Sequence, residues 1–301
     1  MITEIVHFVW TSLQAVARAA ELLLVSAVYF AFVAILVKGW DAIAAARRAW
    51  PEVRANLSLE LLSIIFFAPV IGMAGTLSRD AVTHYSLALL DERVWSYLGD
   101  YGTLVAVVFV GDFVGYCRHR FQHTRWFWPA HAIHHSDTQM TWVTILRFHP
   151  FDNLTTTLVD FGFLALLGFP AWALVANAMV RNYYGQFIHA DLPWTYGPLQ
   201  RVFVSPVMHR WHHARDVEGA GSNFATVFSI FDRAFGTFYV PGLCTVPLGV
   251  VDEIRPSTVG RLLYPLRCWF GRSGAVAPSV ASLPGNAQDE TAQYPRPDSV
   301  S

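Results

Sequence analysis

The chain has 301 residues, of which 54% are hydrophobic and only 14% charged, with 21 basic and 22 acidic side chains and a net charge of −1. Soluble domains carry about a quarter charged residues, so an ordinary water-soluble globule is excluded. With no basic surplus, nucleic acid is excluded as a partner.

In chain order, the first apolar run is 21–37, ELLLVSAVYFAFVAILV, which approaches the ~20 residues that cross a bilayer. Residues 57–75 and 98–118 are two further candidates. Residues 154–188 form a long apolar stretch interrupted by Gly168-Phe169-Pro170, which predicts a helical hairpin turning there. The N-terminus lacks the charged n-region and cleavage site of a signal peptide, so no removed leader is expected. The tail from Arg272 is rich in Pro, Ser, Ala and Gly and is expected to be disordered. Four regions follow: 1–103, N-terminal transmembrane helices and loops; 104–240, a histidine-rich domain; 241–271, an interfacial segment; and 272–301, the tail.

Lys38, Arg47, Arg48 and Arg54 lie between the first two spans and predict a cytoplasmic loop there. The third span then returns to the cytoplasm, and the hairpin begins and ends on that side. The three cysteines, Cys117, Cys244 and Cys268, are isolated, which fits a reducing face and suggests neither a disulfide framework nor a zinc ribbon.

Ten of the twelve histidines fall between positions 119 and 213. His119 and His123 are spaced i, i+4 and share one helix face. His131, His134 and His135 are spaced i, i+3, i+4, and His209, His212 and His213 repeat that spacing in MHRWHH. The hairpin brings His149 and His189 to the same side. Burying so many unpaired imidazoles near a bilayer would be costly, which points to a shared metal. One zinc needs three or four ligands, so eight or nine histidines suit two ions. Imidazole alone leaves iron, zinc, copper and nickel open. No glutamate lies between Glu92 and Glu218, so the four-glutamate pattern of di-iron carboxylate bundles is absent.

HRFQH, HAIHHSD and HRWHH resemble the HxxxH, HxxHH and HxxHH boxes of the fatty acid hydroxylase/sterol desaturase superfamily of membrane-bound non-haem di-iron oxygenases. Asp112 and Tyr116 ahead of the first box, RFHP at 147–150, FIH at 187–189 and DRAFGT at 232–237 extend the resemblance over roughly 104–240. Where that family often shows Asn-Tyr-Gly and Trp-Asp, this chain has Asn223-Phe224-Ala225 and Phe231-Asp232.

The resemblance implies an all-α integral membrane helical bundle with its metal site on the cytoplasmic side. It implies two iron ions held by His119, His123, His131, His134, His135, His209, His212 and His213, with His189 as a ninth ligand. Asp112 and Asp137 would orient imidazoles by accepting the second ring N–H. His149 stands between a role behind the ligands and a helix N-terminal one. Asn223 is weighed as a contact of metal-bound water against a turn residue. Tyr116 is expected to pack beside the site, and Trp126 and Trp128 to anchor at the headgroup level.

The implied reaction is O2-dependent hydroxylation or desaturation of an unactivated C–H bond in a sterol- or fatty-acyl-type lipid. The two electrons come from a separate ferredoxin- or cytochrome-type donor with its reductase, because the chain carries no flavin, nicotinamide, iron–sulfur or haem motif. The alternatives are an alkane-hydroxylase-type monooxygenase and a non-catalytic membrane metal-binding or transport protein. The lipid class, the regiochemistry and the oligomeric state are not encoded in these motifs.

Overall fold

The computed structural model describes residues 2–271 and residue 275, the side chains of 2–9, 11 and 12 excepted. The tail expected to be disordered lies, apart from Ala275, outside the described residues. Helices dominate; among the described residues the only β feature is a single bridge between Ala214 and Leu248.

Helix α1 spans Ile2–Lys38, and α2 runs as one 44-residue helix over Asp41–His84, with a π-turn at Ser63–Phe67. Helix α3 is Gly99–Gln122 and α4 is Trp128–His135. Pro150–Thr156, a π-turn at Thr157–Phe161 and Gly162–Leu166 together form α5, which pairs with α6, Ala171–His189. Helix α7 is Pro206–His212 and α8 is Thr258–Phe270.

Parts of α1, α2 and α3 are long and apolar enough to cross a bilayer. On α1, Leu22, Leu24, Val25, Val28, Phe32 and Leu36 all point outward. Trp172, Val175, Met179 and Tyr183, spaced i, i+3, i+7, i+11, make one outward apolar face of α6. Contiguous apolar surface on this scale needs lipid to cover it. The chain is an integral membrane helical bundle.

The expected hairpin is present and turns where Gly168-Phe169-Pro170 interrupts the apolar run. Gly168 has φ +71°, and a Cβ there would lie 2.1 Å from the Leu90 carbonyl oxygen, so only glycine closes this turn.

One expectation is overturned. The charged stretch between the first two spans is helical rather than a loop, and α2 runs through Pro51 from Asp41 onward. Alanines at 42, 44, 45, 46 and 49 favour helix strongly enough to carry the chain across its charges and proline. At 1.5 Å per residue, 44 residues span about 66 Å, roughly twice the bilayer core. The excess brings Glu52 and Asn56 against the histidine-bearing domain. Asn56 donates to Asp137 at 3.0 Å and accepts from Arg147 Nε, while Arg147 also pairs with Glu52. Arg147 is fully buried, so this network clamps α2 to the domain.

Candidate metal centre

Every histidine box sits at the C-terminal end of a helix. His119 is in the last turn of α3 and His123 is its C-cap. His131, His134 and His135 complete α4, entered through Pro129. His189 is the final residue of α6. His209, His212 and the C-cap His213 close α7, whose N-terminus is capped by Ser205 Oγ accepting from the Met208 N–H at 3.2 Å. Four helix C-termini therefore converge, and their partial negative charge favours a bound cation.

The nine imidazoles fall into two sets. His119, His123, His131, His135 and His212 form one, and His134, His189, His209 and His213 the other; within each set the candidate ligand atoms lie within 4.8 Å of one another. Neither histidine pair of an HxxHH box stays together. His134 parts from His135, and His212 from His213, because neighbouring positions on a helix point about 100° apart.

Hydrogen bonds fix several tautomers. His119 Nδ1 donates to the Phe224 carbonyl at 2.7 Å, His189 Nδ1 to the Gly185 carbonyl at 2.6 Å, and His212 Nδ1 to the Ser222 carbonyl at 2.6 Å. Each leaves Nε2 as a bare lone pair facing the cluster. Within the sets, His119 Nε2 lies 3.0 Å from His131 Nε2, His135 Nε2 3.2 Å from His131 Nε2, His189 Nε2 3.2 Å from His134 Nε2 and His209 Nε2 3.0 Å from His189 Nε2. Two nitrogens bound about 2.1 Å from one divalent ion and subtending roughly 90–110° are about 3.0–3.4 Å apart. His123 and His213 have both ring nitrogens buried without a partner, and His212 Nε2 is equally orphaned. Buried lone pairs that no protein donor satisfies are expensive, and a cation in each set would satisfy them. The residues fit a metal in both.

Burial keeps these rings neutral. Loss of solvation, reinforced by the neighbouring imidazoles, holds His123, His131, His134, His135, His209 and His213 well below the usual histidine range. The same desolvation lowers His189 and His212 to about 4. At neutral pH the rings present free electron pairs, the form a metal binds.

The residues expected behind the ligands are placed differently. Asp112 touches no imidazole; its carboxylate accepts the backbone N–H groups of Thr226, Val227 and Phe228 at 3.2, 3.0 and 2.7 Å. It steadies the loop whose Phe224 carbonyl aligns His119. Asp137 accepts from Asn56, the Gln139 N–H and Thr144, and so belongs to the clamp on α2. His149 stands apart as the N-cap of α5, with Nδ1 accepting from the Phe151 N–H at 3.1 Å and Nε2 3.2 Å from the Leu262 carbonyl oxygen. Asn223 lies in the left-handed region at φ +59°. It donates to the Met208 and Tyr239 carbonyls and accepts from the Tyr239 N–H, which makes it a staple on α7. Trp128 is no headgroup anchor either; it is buried 5.1 Å from the His123 ring and 5.3 Å from His135, and its indole donates to Asp252. Trp126 is exposed, and Tyr116 packs beside Phe224 with its hydroxyl bonded to Thr237.

The partners that orient the rings were invisible in the sequence because three are main-chain carbonyls, which any residue supplies. Asp152 could have been found. It opens α5 just after RFHP, and its Oδ2 lies 3.4 Å from His131 Nδ1. Phe148 stacks on His134 at 4.5 Å with planes 6° apart. A cavity of about 220 Å³ adjoins the cluster, lined by His119, His131, His134, His189 and His209 at one end and by α3, α5 and α6 beyond.

The family model of fatty acid hydroxylases matches residues 104–237. Ornithine lipid hydroxylase OlsE of Rhizobium tropici is 26% identical over 201 residues, covering 66% of this chain and 58% of that protein. Alkylglycerol monooxygenase of Caenorhabditis elegans is 31% identical over 137 residues, 45% of this chain and 27% of that protein. The human alkylglycerol monooxygenase is 32% identical over 151 residues, 48% and 33% respectively. The chain thus spans a little over half the length of the first relative and about a third or less of the others. No solved structure matches it significantly. All nine clustered histidines fall inside the matched segment, and over that segment the chain is similar to the fatty acid hydroxylases.

Proposed function

We propose that this protein is a membrane-bound di-iron oxygenase that hydroxylates or desaturates an unactivated C–H bond of a lipid. The observation that carries the reading is the pair of all-imidazole sets, nine rings of which eight are buried and His119 is half-buried, with opposed lone pairs and no carboxylate among them. One iron would be held by His119, His123, His131, His135 and His212, the other by His134, His189, His209 and His213. Iron bound there supplies what no side chain can, activation of dioxygen toward an inert C–H bond, with two electrons from a separate ferredoxin- or cytochrome-type donor and its reductase.

The chain's own part is to hold, orient and seal. The carbonyls of Phe224, Gly185 and Ser222 fix the tautomers of His119, His189 and His212, so that Nε2 of each stays free of a proton. Trp128, Phe148 and Phe224 wall the rings and exclude water, which protects a reactive centre from side reactions. The cavity reaching both sets lets one segment of a lipid approach while the rest stays in the bilayer. Lys38, Arg47, Arg48 and Arg54 near the α1–α2 junction favour a cytoplasmic placement of the centre, where electron donors are available.

The relatives' names support the class: one hydroxylates ornithine lipids and the others act on alkylglycerols. The test is lipid profiling of a host with the gene, without it and with His134→Ala. Gain of one oxygen atom or loss of two hydrogens in one lipid class, absent with His134→Ala, is the expected result. Unchanged lipids beside an iron-loaded protein would overturn the reading.

A further inference from the structure

Helix α8 carries a surface that the histidine centre does not use. Its inner face, with Gly260, Arg261, Tyr264 and Pro265, is buried against α2 and α4. Its outer face presents Val259, Leu263, Leu266 and Phe270, spaced i, i+4, i+7 and i+11, all apolar and all exposed. Two contacts set the height of this helix. The Tyr264 hydroxyl and the Trp128 indole of α4 donate to one carboxylate, Asp252. His149, the N-cap of α5, donates through Nε2 to the Leu262 carbonyl at 3.2 Å. So α8 lies level with the histidine ends of α3 and α4. The 24 residues of α3 reach about 36 Å, past a hydrocarbon core of about 30 Å, and end among the headgroups.

The surroundings of the stripe are aromatic and basic. Trp126 is exposed, its carbonyl accepts from the Trp269 indole at 2.9 Å, and Arg125 stacks on its ring at 4.6 Å. The exposed charges of 113–136 and 254–271 are arginines alone, Arg120, Arg125, Arg255 and Arg267, for neither stretch holds an aspartate or glutamate. On α2, exposed Leu57 and Leu61 flank Leu59, on which α8 rests, and Phe66 and Val70 carry that apolar surface onward into the bilayer. A soluble protein would have to reach the stripe through the headgroup layer. Lipid is already there.

We propose that α8, together with Trp126, is an in-plane anchor in the leaflet nearest the histidines, and that it selects anionic phospholipid. Val259, Leu263, Leu266 and Phe270 enter the boundary between headgroups and acyl chains, about 5–10 Å deep. Arg125, Arg255 and Arg267 stay at the headgroups and bind their negative charge, and Trp126 takes the interfacial position that tryptophan favours. Through Asp252 and His149 the anchor holds α4 and the start of α5. It thereby sets the depth at which the cavity beside the histidines meets the leaflet. The anchor works in the same way whatever reaction the centre performs.

The test uses the full chain in lipid nanodiscs, with an NBD fluorophore on Leu266→Cys in a Cys117→Ser, Cys268→Ser background. Cys244 is buried and escapes the label. The quenchers are phosphatidylcholine with a nitroxide high on its acyl chain, the same lipid with the nitroxide at the chain end, and aqueous iodide. Strongest quenching by the high nitroxide and little by iodide is the expected result. Strong iodide quenching, strongest quenching from the chain end, or a label that no quencher reaches overturns the in-plane anchor. Phosphatidylglycerol with the high nitroxide should then half-quench the label at about a fivefold lower mole fraction than phosphatidylcholine does, the worth of one arginine at an anionic surface. Arg125→Gln combined with Arg267→Gln should bring the two lipids together. Equal quenching by both lipids before that substitution, or a preference that survives it, overturns the choice of anionic lipid. Should the Leu266→Cys protein fail to fold, Phe270→Cys on the same stripe carries the label, at a side chain that is 85% exposed.

Discussion

His119 and His131 meet nitrogen to nitrogen, Nε2 to Nε2 at 3.0 Å, with no proton placed to join them. The His119 proton is committed to the Phe224 carbonyl through Nδ1. His131 Nδ1 in turn lies 3.4 Å from Asp152 Oδ2, a carboxyl that burial raises to about 8. A cation between the two rings would satisfy both facing nitrogens, and the first predictions follow from it.

Asp152→Asn replaces the carboxyl behind His131 while leaving its bulk. Loss of such a partner weakens metal binding about 10- to 100-fold. Competition with a chelator, followed by metal analysis, should show one ion released early and the other retained, because Asp152 contacts only one set.

His189→Ala and His149→Ala separate the two histidines that flank the hairpin. Removing His189 should lower bound iron from about two per chain toward one and abolish lipid oxidation, as expected for a lost ligand. His149→Ala should keep both ions and cost about 1 kcal/mol of stability, the usual value of an N-cap. Metal content and thermal unfolding measured on both variants check the contrast.

Asp112→Asn offers one acceptor oxygen where three backbone N–H groups now share two. The variant should lose about 1–3 kcal/mol, the cost of a buried donor left unpaired. It should also loosen Phe224 and therefore His119, so iron affinity should fall together with the melting temperature. An unaltered melting temperature would contradict the clamp.

The metal-free protein should be sensitive to acid. His189 and His212 are lowered by burial from an ordinary 6.5 to about 4, so between those values the unfolded chain binds protons that the folded one refuses. Their contribution is complete above about pH 6.5 and is lost as pH falls toward 4. Denaturation of the apo protein from pH 7.5 to 4 should show this decline. Iron loading should shift it to lower pH, because bound metal holds the rings deprotonated.

Gly168→Ala tests the hairpin. Its φ of +71° and the Leu90 carbonyl in the place of a Cβ make any side chain costly, by about 1–3 kcal/mol or more. Since this turn returns α6 and His189 to the cluster, iron content should drop with stability.

Spacing alone made the boxes legible. Histidines at i, i+3 and i+4 share a helix face whatever the fold, and Gly168-Phe169-Pro170 has to break an apolar helix. The same periodicity gave the bundle and its membrane-facing sides, because lipid imposes the same apolar demand on every exposed position. Tertiary structure decided how nine rings divide, sending His134 and His135 to different sets, and which groups hold them. Those groups are mostly the carbonyls of Phe224, Gly185 and Ser222, and a main-chain oxygen carries no residue signature. The reach of α2 was hidden for a related reason. Its charges suit a loop locally, and only the buried Arg147 network, formed across some 90 residues of chain, gives Glu52 and Asn56 their place.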